Sequence, residues 1–432
     1  MAAATISSQS IRTPVRAHPR VNVFCLTPTR LATVLLALAV LANGTPAAAQ
    51  TPDGPDPSKV RLRIGPLSMN PTIALSNIGI DQNVFNQPAD QNPQQDFTLT
   101  VTPATDLWLR LGPTWVTGRI NEDIVWYQKF TTERAANNTY TVGWKVPLNR
   151  LNLSVNASRA SVRDRPGFEI DARSQRNETS YDGKVEVRAL SKTFFGVTGS
   201  RGTTDFDKAD VFLNSNLQFE LNRATTSVGI VVREQLTPLT SISVNATRSQ
   251  DRFEFSSLRD SDSTAATATV TLDPVALIKG SATFGYRDFE PQSPGLPNYK
   301  GGTAQVNLSY VAFGSTRLTF GFSRDVAYSF DINQPYYLQT GVNGSIAQQI
   351  FGPFDVVVRG GTASLAYRNR AGAIILVSDR IDHEQTYGGG IGYHMSRDLR
   401  LGVNVDKEHR ISDIAAREYN NLRIGSAVTY GF

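Results

Sequence analysis

Along most of this chain apolar and polar residues take turns, one by one. In residues 140–146, Tyr140, Val142, Trp144 and Val146 alternate with Thr141, Gly143 and Lys145. In 152–157, Leu153, Val155 and Ala157 alternate with Asn152, Ser154 and Asn156. The same two-residue period runs through Ala266, Ala268, Val270 and Leu272, through Ala304, Val306, Leu308 and Tyr310, through Leu399, Leu401, Val403 and Val405, and through Leu422, Ile424, Val428 and Tyr430. A period of two places one residue class on each face of an extended strand. These strands run about 11 to 16 residues, enough to cross a bilayer at a tilt and longer than most strands of soluble sandwiches.

The strands meet at two kinds of connection. Short turns are predicted at 112–114, 147–149, 190–192, 236–239, 272–275, 311–315, 351–353 and 395–398, recurring about every 40 residues. Between them lie longer polar segments such as "NQPADQNPQQD", "VRDRPGFEIDARSQRN", "DRFEFSSLRDSDS", "FEPQSPGLPNYKGG" and "YRNRAGAIILVSDRIDHE". Short turns at one end and long loops at the other are the pattern of a transmembrane β-barrel, with turns in the periplasm and loops outside the cell. A propeller shares the spacing, but it needs four short strands per period and a Gly-His or Trp-Asp signature, neither of which is present.

Because an open sheet would leave unpaired edges in hydrocarbon, the final strand is expected to close on the first, near 72–85. Eight hairpins plus these two strands predict an all-β, antiparallel, up-and-down barrel of about eighteen strands (16 to 18), with 206–225 readable as either loop or strand. Aromatics at strand ends (Trp115, Trp126, Tyr127, Tyr286, Tyr310, Tyr328, Tyr393, Tyr430) would form interfacial girdles. Around Gly360 and Gly361 the apolar parity switches from Val356 and Val358 to Ala363, Leu365 and Tyr367, as a β-bulge would produce.

The first 49 residues depart from the pattern. Arg12, Arg16, Arg20 and Arg30 come without an acid, followed by the apolar run 31–42 and "NGTPAAAQ", which reads as a secretory signal peptide cleaved after Ala49. The run is too short for an anchor helix. Residues 50–61 form a Pro-rich periplasmic linker and 62–432 the barrel. Hydrophobic residues make up 40% and charged residues 19% of the chain, which fits strands in which only alternate positions are apolar. Without the signal, 39 Lys and Arg face 38 Asp and Glu. The basic balance therefore belongs to the export segment and gives no support to nucleic-acid binding. The lone cysteine, Cys25, leaves with the signal, which removes both disulfides and thiolate chemistry.

Catalytic sets are missing from the exported part, where only His383, His394 and His409 remain. The cluster Asp379, Asp382, His383 and Glu384 suggests a metal or base site in a loop, though such clusters are more often solvated. Gly388, Gly390 and Gly392 imitate a phosphate loop but fall on the inward parity, where they would relieve crowding. No catalytic, cofactor or metal residue is assigned. One distribution does point to function: inward-parity cations cluster near the short turns, namely Arg110, Lys145, Arg188, Lys279, Arg317 and Arg400, with Arg359 and Arg423 nearby. A basic ring at a pore mouth favours anions, whereas pairing with lumen acids such as Glu186 would cancel it.

An aromatic last strand, with Tyr430 and Phe432, resembles the C-terminal assembly signal read by the barrel-insertion machinery of Gram-negative bacteria. Together with "IDQNVFN" (80–86) and the "LTPLTSISVNATRSQDRF" hairpin (236–253), the exported chain resembles the type 2 outer-membrane β-barrel porins, some of which are associated with exopolysaccharide production. The resemblance implies an outer-membrane location, lipid and insertion-machinery partners, and a pore for small hydrophilic, including anionic, solutes or for an acidic polysaccharide. A non-conducting adhesive barrel with partner-binding loops is the alternative.

Overall fold

In a computed structural model, residues 60–273, 276–374 and 377–431 are described. The expected signal segment, most of the expected linker and Phe432 lie outside them. Eighteen long strands form one closed antiparallel barrel. In chain order they are β1 (Leu67–Asp81), β2 (Asp96–Leu111), β3 (Thr114–Tyr127), β4 (Ala135–Pro147), β5 (Leu151–Asp164), β6 (Ser174–Arg188), β7 (Thr193–Phe206), β8 (Arg223–Thr237) and β9 (Thr240–Phe253). The second half comprises β10 (Ser261–Leu272), β11 (Ile278–Pro291), β12 (Tyr299–Ala312), β13 (Thr316–Tyr328), β14 (Tyr336–Phe351), β15 (Phe354–Arg368), β16 (Ile381–His394), β17 (Leu399–Ile411) and β18 (Tyr419–Tyr430). Seven of the eight expected short turns separate strands where the sequence places them, and the eighth, at 272–275, falls between β10 and β11 with residues 274 and 275 outside the described ones. The segment 206–225 is mostly loop, with a small hairpin and a one-turn helix, α1 (Leu217–Leu221), capped by the Asn216 side chain.

Closure follows the expected route: β1 pairs with β18, from Ile73 opposite Tyr430 to Asp81 opposite Arg423. The outer face carries the apolar parity, with Val142, Val155, Val197, Val228, Ile346 and Val403 all exposed. Facing lipid rather than water, such side chains satisfy the hydrophobic band of a membrane barrel.

A bulge exists, but in a different strand from the one expected. β15 runs through Gly360 and Gly361 without a register shift on either side. A slip interrupts β1 instead, between Leu75 and Ile78 against β18 and between Ser76 and Gly79 against β2. Asn77 takes the left-handed conformation there (φ 53°), which Asn tolerates better than most residues. Its carbonyl accepts from Thr98 Oγ1 at 2.9 Å. The extra residue moves the apolar parity from Ile73 and Leu75 to Ile78 and Ile80. Just beyond, a Cβ on Gly79 would lie 2.0 Å from the Ile424 carbonyl oxygen, so the barrel seam closes only over a bare backbone. Gly79→Ala is expected to reduce the fraction of heat-modifiable, folded barrel on refolding into micelles, while Gly183→Ala, which meets only one atom at 4.0 Å, leaves it unchanged.

Candidate pore and its two ends

At the short-turn end, all six predicted basic residues fall on the lumen-facing parity within a few residues of their turns. Arg110 lies over Trp115 and Arg188 over Phe194, with guanidinium-to-ring distances of 5.8 and 5.1 Å. Trp115 is thus a lumen residue rather than a girdle residue, because it stands directly opposite Arg110 in the β2–β3 register. Arg400 alone of the six is neutralised, in a two-pronged pair with Asp355 (2.7 and 2.5 Å) that His394 joins at 2.7 Å. Arg110, Lys145, Arg188, Lys279 and Arg317 form no ion pair among the described residues. Glu186 pairs with Lys184 (3.1 Å) and Arg233 (2.9 Å) instead of Arg188. Higher in the wall, Arg359 pairs with Asp406 at 2.5 Å and Arg423 with Asp81 at 2.9 Å.

The three inward glycines of β16 explain how two of these pairs form. Arg359 on β15 and Asp406 on β17 reach each other across Gly388, where a Cβ would sit 2.0 Å from the Asp406 carboxylate. Gly392 does the same for Arg400 and Asp355, with 2.3 and 2.4 Å to their polar atoms. The glycines leave the room these side chains need. The Asp379–Glu384 cluster is dispersed by the strand it enters: Asp382 and Glu384 face the lumen, His383 the outside, and Asp379 remains in the preceding loop. No metal-binding group occurs among the described residues.

Between the ends, the wall from β8 to β14 is neutral. Its lumen side is lined by hydroxyls and amides, with Ser227 and Ser249 bonded at 2.8 Å, Thr269 and Thr283 at 2.9 Å, and Thr319 and Ser345 at 2.7 Å.

The long-loop end holds a feature that the sequence reading treated only as a polar loop. Residues 165–173, between β5 and β6, fold into the barrel and continue the two-residue alternation there. Phe168 packs against Tyr337, Ala363, Leu365 and Tyr367. Ile170 joins Phe206, Phe212, Leu217, Leu221 and Phe330. This explains the parity switch in β15: Ala363, Leu365 and Tyr367 point inward as the seat for the loop. Tyr127, buried, and Tyr328, partly buried, both expected in girdles, instead lie against arginines, Arg173 and Arg223.

The acidic members of the loop meet arginines and amides. Arg410, wholly buried at 0% exposure, donates to the Phe168 carbonyl at 2.5 Å, to Asp171 at 3.1 Å and to Asp382 at 2.5 Å. Asp382 also accepts from Arg380 and from Ser412 Oγ at 2.6 Å. Arg417 reaches Asp171 at 3.2 Å and the Glu169 carbonyl. Glu169 accepts from Ser329 Oγ at 2.6 Å and the Phe330 amide at 3.2 Å. Burial pushes the Glu169 and Asp171 carboxyls above their ordinary values, opposed for Glu169 by the Ser329 hydrogen bond and Arg417, and for Asp171 by Arg417 and Arg410. Beside this loop lies a cavity of about 650 Å³ lined by Glu169, Arg176, Arg223, Asp251, Arg287 and Tyr328.

A closed barrel with an apolar exterior, a polar interior, a basic mouth and an inward loop is the build of an outer-membrane pore protein. Solved structures of similar architecture include Pseudomonas aeruginosa OccK2 (OpdF) in complex with glucuronate, with 10% identity over 84% of this chain and 97% of that one (TM-score 0.45). Others are P. aeruginosa OccK9 (OpdG), at 12% over 84% and 97% (TM-score 0.44), and a bacterial polysaccharide outer membrane secretin, at 8% over 84% and 98% (TM-score 0.35). A search of the curated proteins finds no match. By the match of its family model to residues 58–432, the chain belongs to the family described as "Putative beta-barrel porin 2".

Proposed function

We propose that this protein is an outer-membrane pore for small hydrophilic solutes, that anions are favoured at its periplasmic mouth, and that loop 165–173 limits passage. The observation that carries the reading is the set of five lumen-facing cations near the turns that form no ion pair among the described residues. Eighteen strands enclose an aqueous lumen unless it is filled, so solute size is set by the lodged loop. Planar-bilayer recording of the purified barrel tests this: discrete conductance steps with anion preference at low salt are expected, and a barrel that never conducts, even with the loop released, would leave the adhesive alternative. Export of an acidic polysaccharide is the second reading, supported by the hydroxyl-lined β8–β14 wall. It requires the loop to leave the lumen during passage.

The loop also gives the pore a pH response. Glu169 and Asp171 hold their protons more tightly when buried than when the loop is free. Docking is therefore strongest below their free-chain range and weakens as pH rises through the raised values. Mean conductance is expected to fall between neutral pH and about pH 4, the ordinary carboxylate range, and Glu169→Gln is expected to flatten that dependence. A rise in current on acidification would contradict this assignment.

A further inference from the structure

The outer wall carries a second charged belt that the pore does not use. Eight strands ascend from the short turns between long strands toward the long loops, and β1 ascends from a turn at 65–66 with Leu75 in its ninth place. The ninth residue of β5 is Arg159, of β7 Arg201, of β9 Arg248, of β13 Arg324 and of β17 Lys407. The ninth residues of the other three, β3, β11 and β15, are Glu122, Tyr286 and Thr362. Being odd-numbered positions, all lie on the outward parity, in line with apolar residues such as Val155, Val197, Val244, Phe320 and Val403 closer to the turn.

On the five cationic strands the outward positions below the belt are apolar or small, and at the belt they turn cationic. Nine residues of tilted strand at about 3.3 Å each raise the belt roughly 20 Å above the turns, close to the edge of a ~25 Å apolar band. Tyrosines stand directly beside three of the cations in the strand register: Tyr140 opposite Arg159, Tyr181 opposite Arg201, and Tyr387 opposite Lys407. Arg159, Arg201, Arg324 and Lys407 make no ion pair among the described residues, and Arg248 has only a 3.7 Å contact with Asp262. The acid within the belt, Glu122, is bonded to Tyr140. Above it, outward positions mix hydroxyls and amides, such as Ser161, Asn177, Thr179, Thr203 and Gln250, with the charged residues Asp205, Asp262, Asp288, Glu290 and Lys300, the last paired with Asp288 and Glu290.

From this placement we infer that the belt binds the phosphate groups of a phosphorylated glycolipid in the leaflet on the long-loop side. Cations at the hydrocarbon edge fit phosphates attached where acyl chains end and sugars begin, and the hydroxyls and amides above fit the sugars. Neighbouring belt cations, such as Arg159 and Arg201, lie two strand spacings apart, about 10 Å, so a headgroup with two phosphates can engage two of them. Aromatic partners fix the depth, as interfacial tyrosines do. The inference needs only the membrane seat and is independent of solute passage.

The test is lipid retention. Wild-type barrel is purified from mixed micelles containing a bis-phosphorylated diglucosamine lipid, its dephosphorylated form, or phosphatidylglycerol, and bound lipid is counted by native mass spectrometry. Retention of the bis-phosphorylated lipid is expected to exceed the dephosphorylated one on the order of tenfold and to decline with salt. The quintuple variant Arg159→Gln/Arg201→Gln/Arg248→Gln/Arg324→Gln/Lys407→Gln should lose that preference while running as folded barrel on unheated gels. Equal retention of both glycolipids by wild type, equal or stronger retention of phosphatidylglycerol, or an unchanged preference in a folded variant would each overturn it. The wild-type comparison decides the matter even where the variant does not fold.

Discussion

Replacing Arg410 with Ala is expected to release loop 165–173 and raise single-channel conductance several-fold, the largest change any single substitution in this chain should produce. Arg410 is the common partner of the Phe168 carbonyl, Asp171 and Asp382, and it has no exposed surface. Removing it takes one arginine from each of two buried carboxylates, leaving Asp171 to Arg417 and Asp382 to Arg380 and Ser412, and each charge-assisted hydrogen bond lost costs about 1.5 to 3 kcal/mol. A docked loop weakened by that much shifts its docked-to-free ratio by on the order of a hundredfold or more. The strands themselves keep their backbone ladders, so the barrel should remain heat-modifiable. Protease added from the loop side should cut within 165–173 in the variant and spare it in the wild type. If conductance and cleavage are both unchanged, the loop is held by Phe168 and Ile170 alone and the ion network is incidental to gating.

The second large effect is expected at the opposite mouth. Lys145→Glu combined with Arg188→Glu changes four units of charge at a place where the described residues leave five cations unpaired. Around a ring with low-dielectric walls such charges concentrate counter-ions, so the anion preference of the wild type should turn into a weak cation preference in dilute salt. Screening shortens from about 10 Å at 0.1 M to about 3 Å at 1 M, and both preferences should fade over that range. Reversal potentials across a salt gradient measure this directly. Arg400→Gln serves as the contrast: its charge is already matched by Asp355, and losing it should push selectivity toward cations far less than the paired substitution. A wild-type mouth with no preference at low salt would reduce the ring to wall decoration.

Much of this architecture is legible from residue alternation. Turn positions, strand number, closure of β1 on β18, and the lumen side of the six cations all follow from a two-residue period and its interruptions, because lipid outside and water inside enforce opposite chemistry on alternate residues. What alternation could not distinguish is a parity change caused by a bulge from one caused by a partner. Both occur here. Ile73 and Leu75 give way to Ile78 and Ile80 because Asn77 inserts a residue, whereas Val358 gives way to Ala363 and Leu365 because the lumen at that height is filled with protein. The glycine pair at 360–361 pointed to the wrong one. The signal for the lodged loop was present in Phe168–Glu169–Ile170–Asp171, an alternating stretch inside a segment otherwise read as solvated. Only the packing of that stretch against inward apolar residues some two hundred positions away shows that it turns into the barrel, and such a distant match is invisible to a local pattern. The same holds for Trp115, whose face is decided by register rather than residue type.

The seam between β1 and β18 also bears on how the molecule comes into being. Every other strand pairing joins neighbours along the chain, so each can form as a hairpin or by adding one. The seam joins segments nearly the whole protein apart: Ser426 donates to the Ile78 carbonyl across 348 positions. Bringing such remote segments together costs loop-closure entropy that no local contact offsets until the meeting is complete. Assembly should therefore run quickly to a curled, open sheet and then wait, with β1 and β18 as its two raw edges, the surfaces on which mispairing between chains would begin. The rate of that last step, rather than the strength of any hairpin, should set how fast the protein matures and how much of it is lost to aggregation on the way.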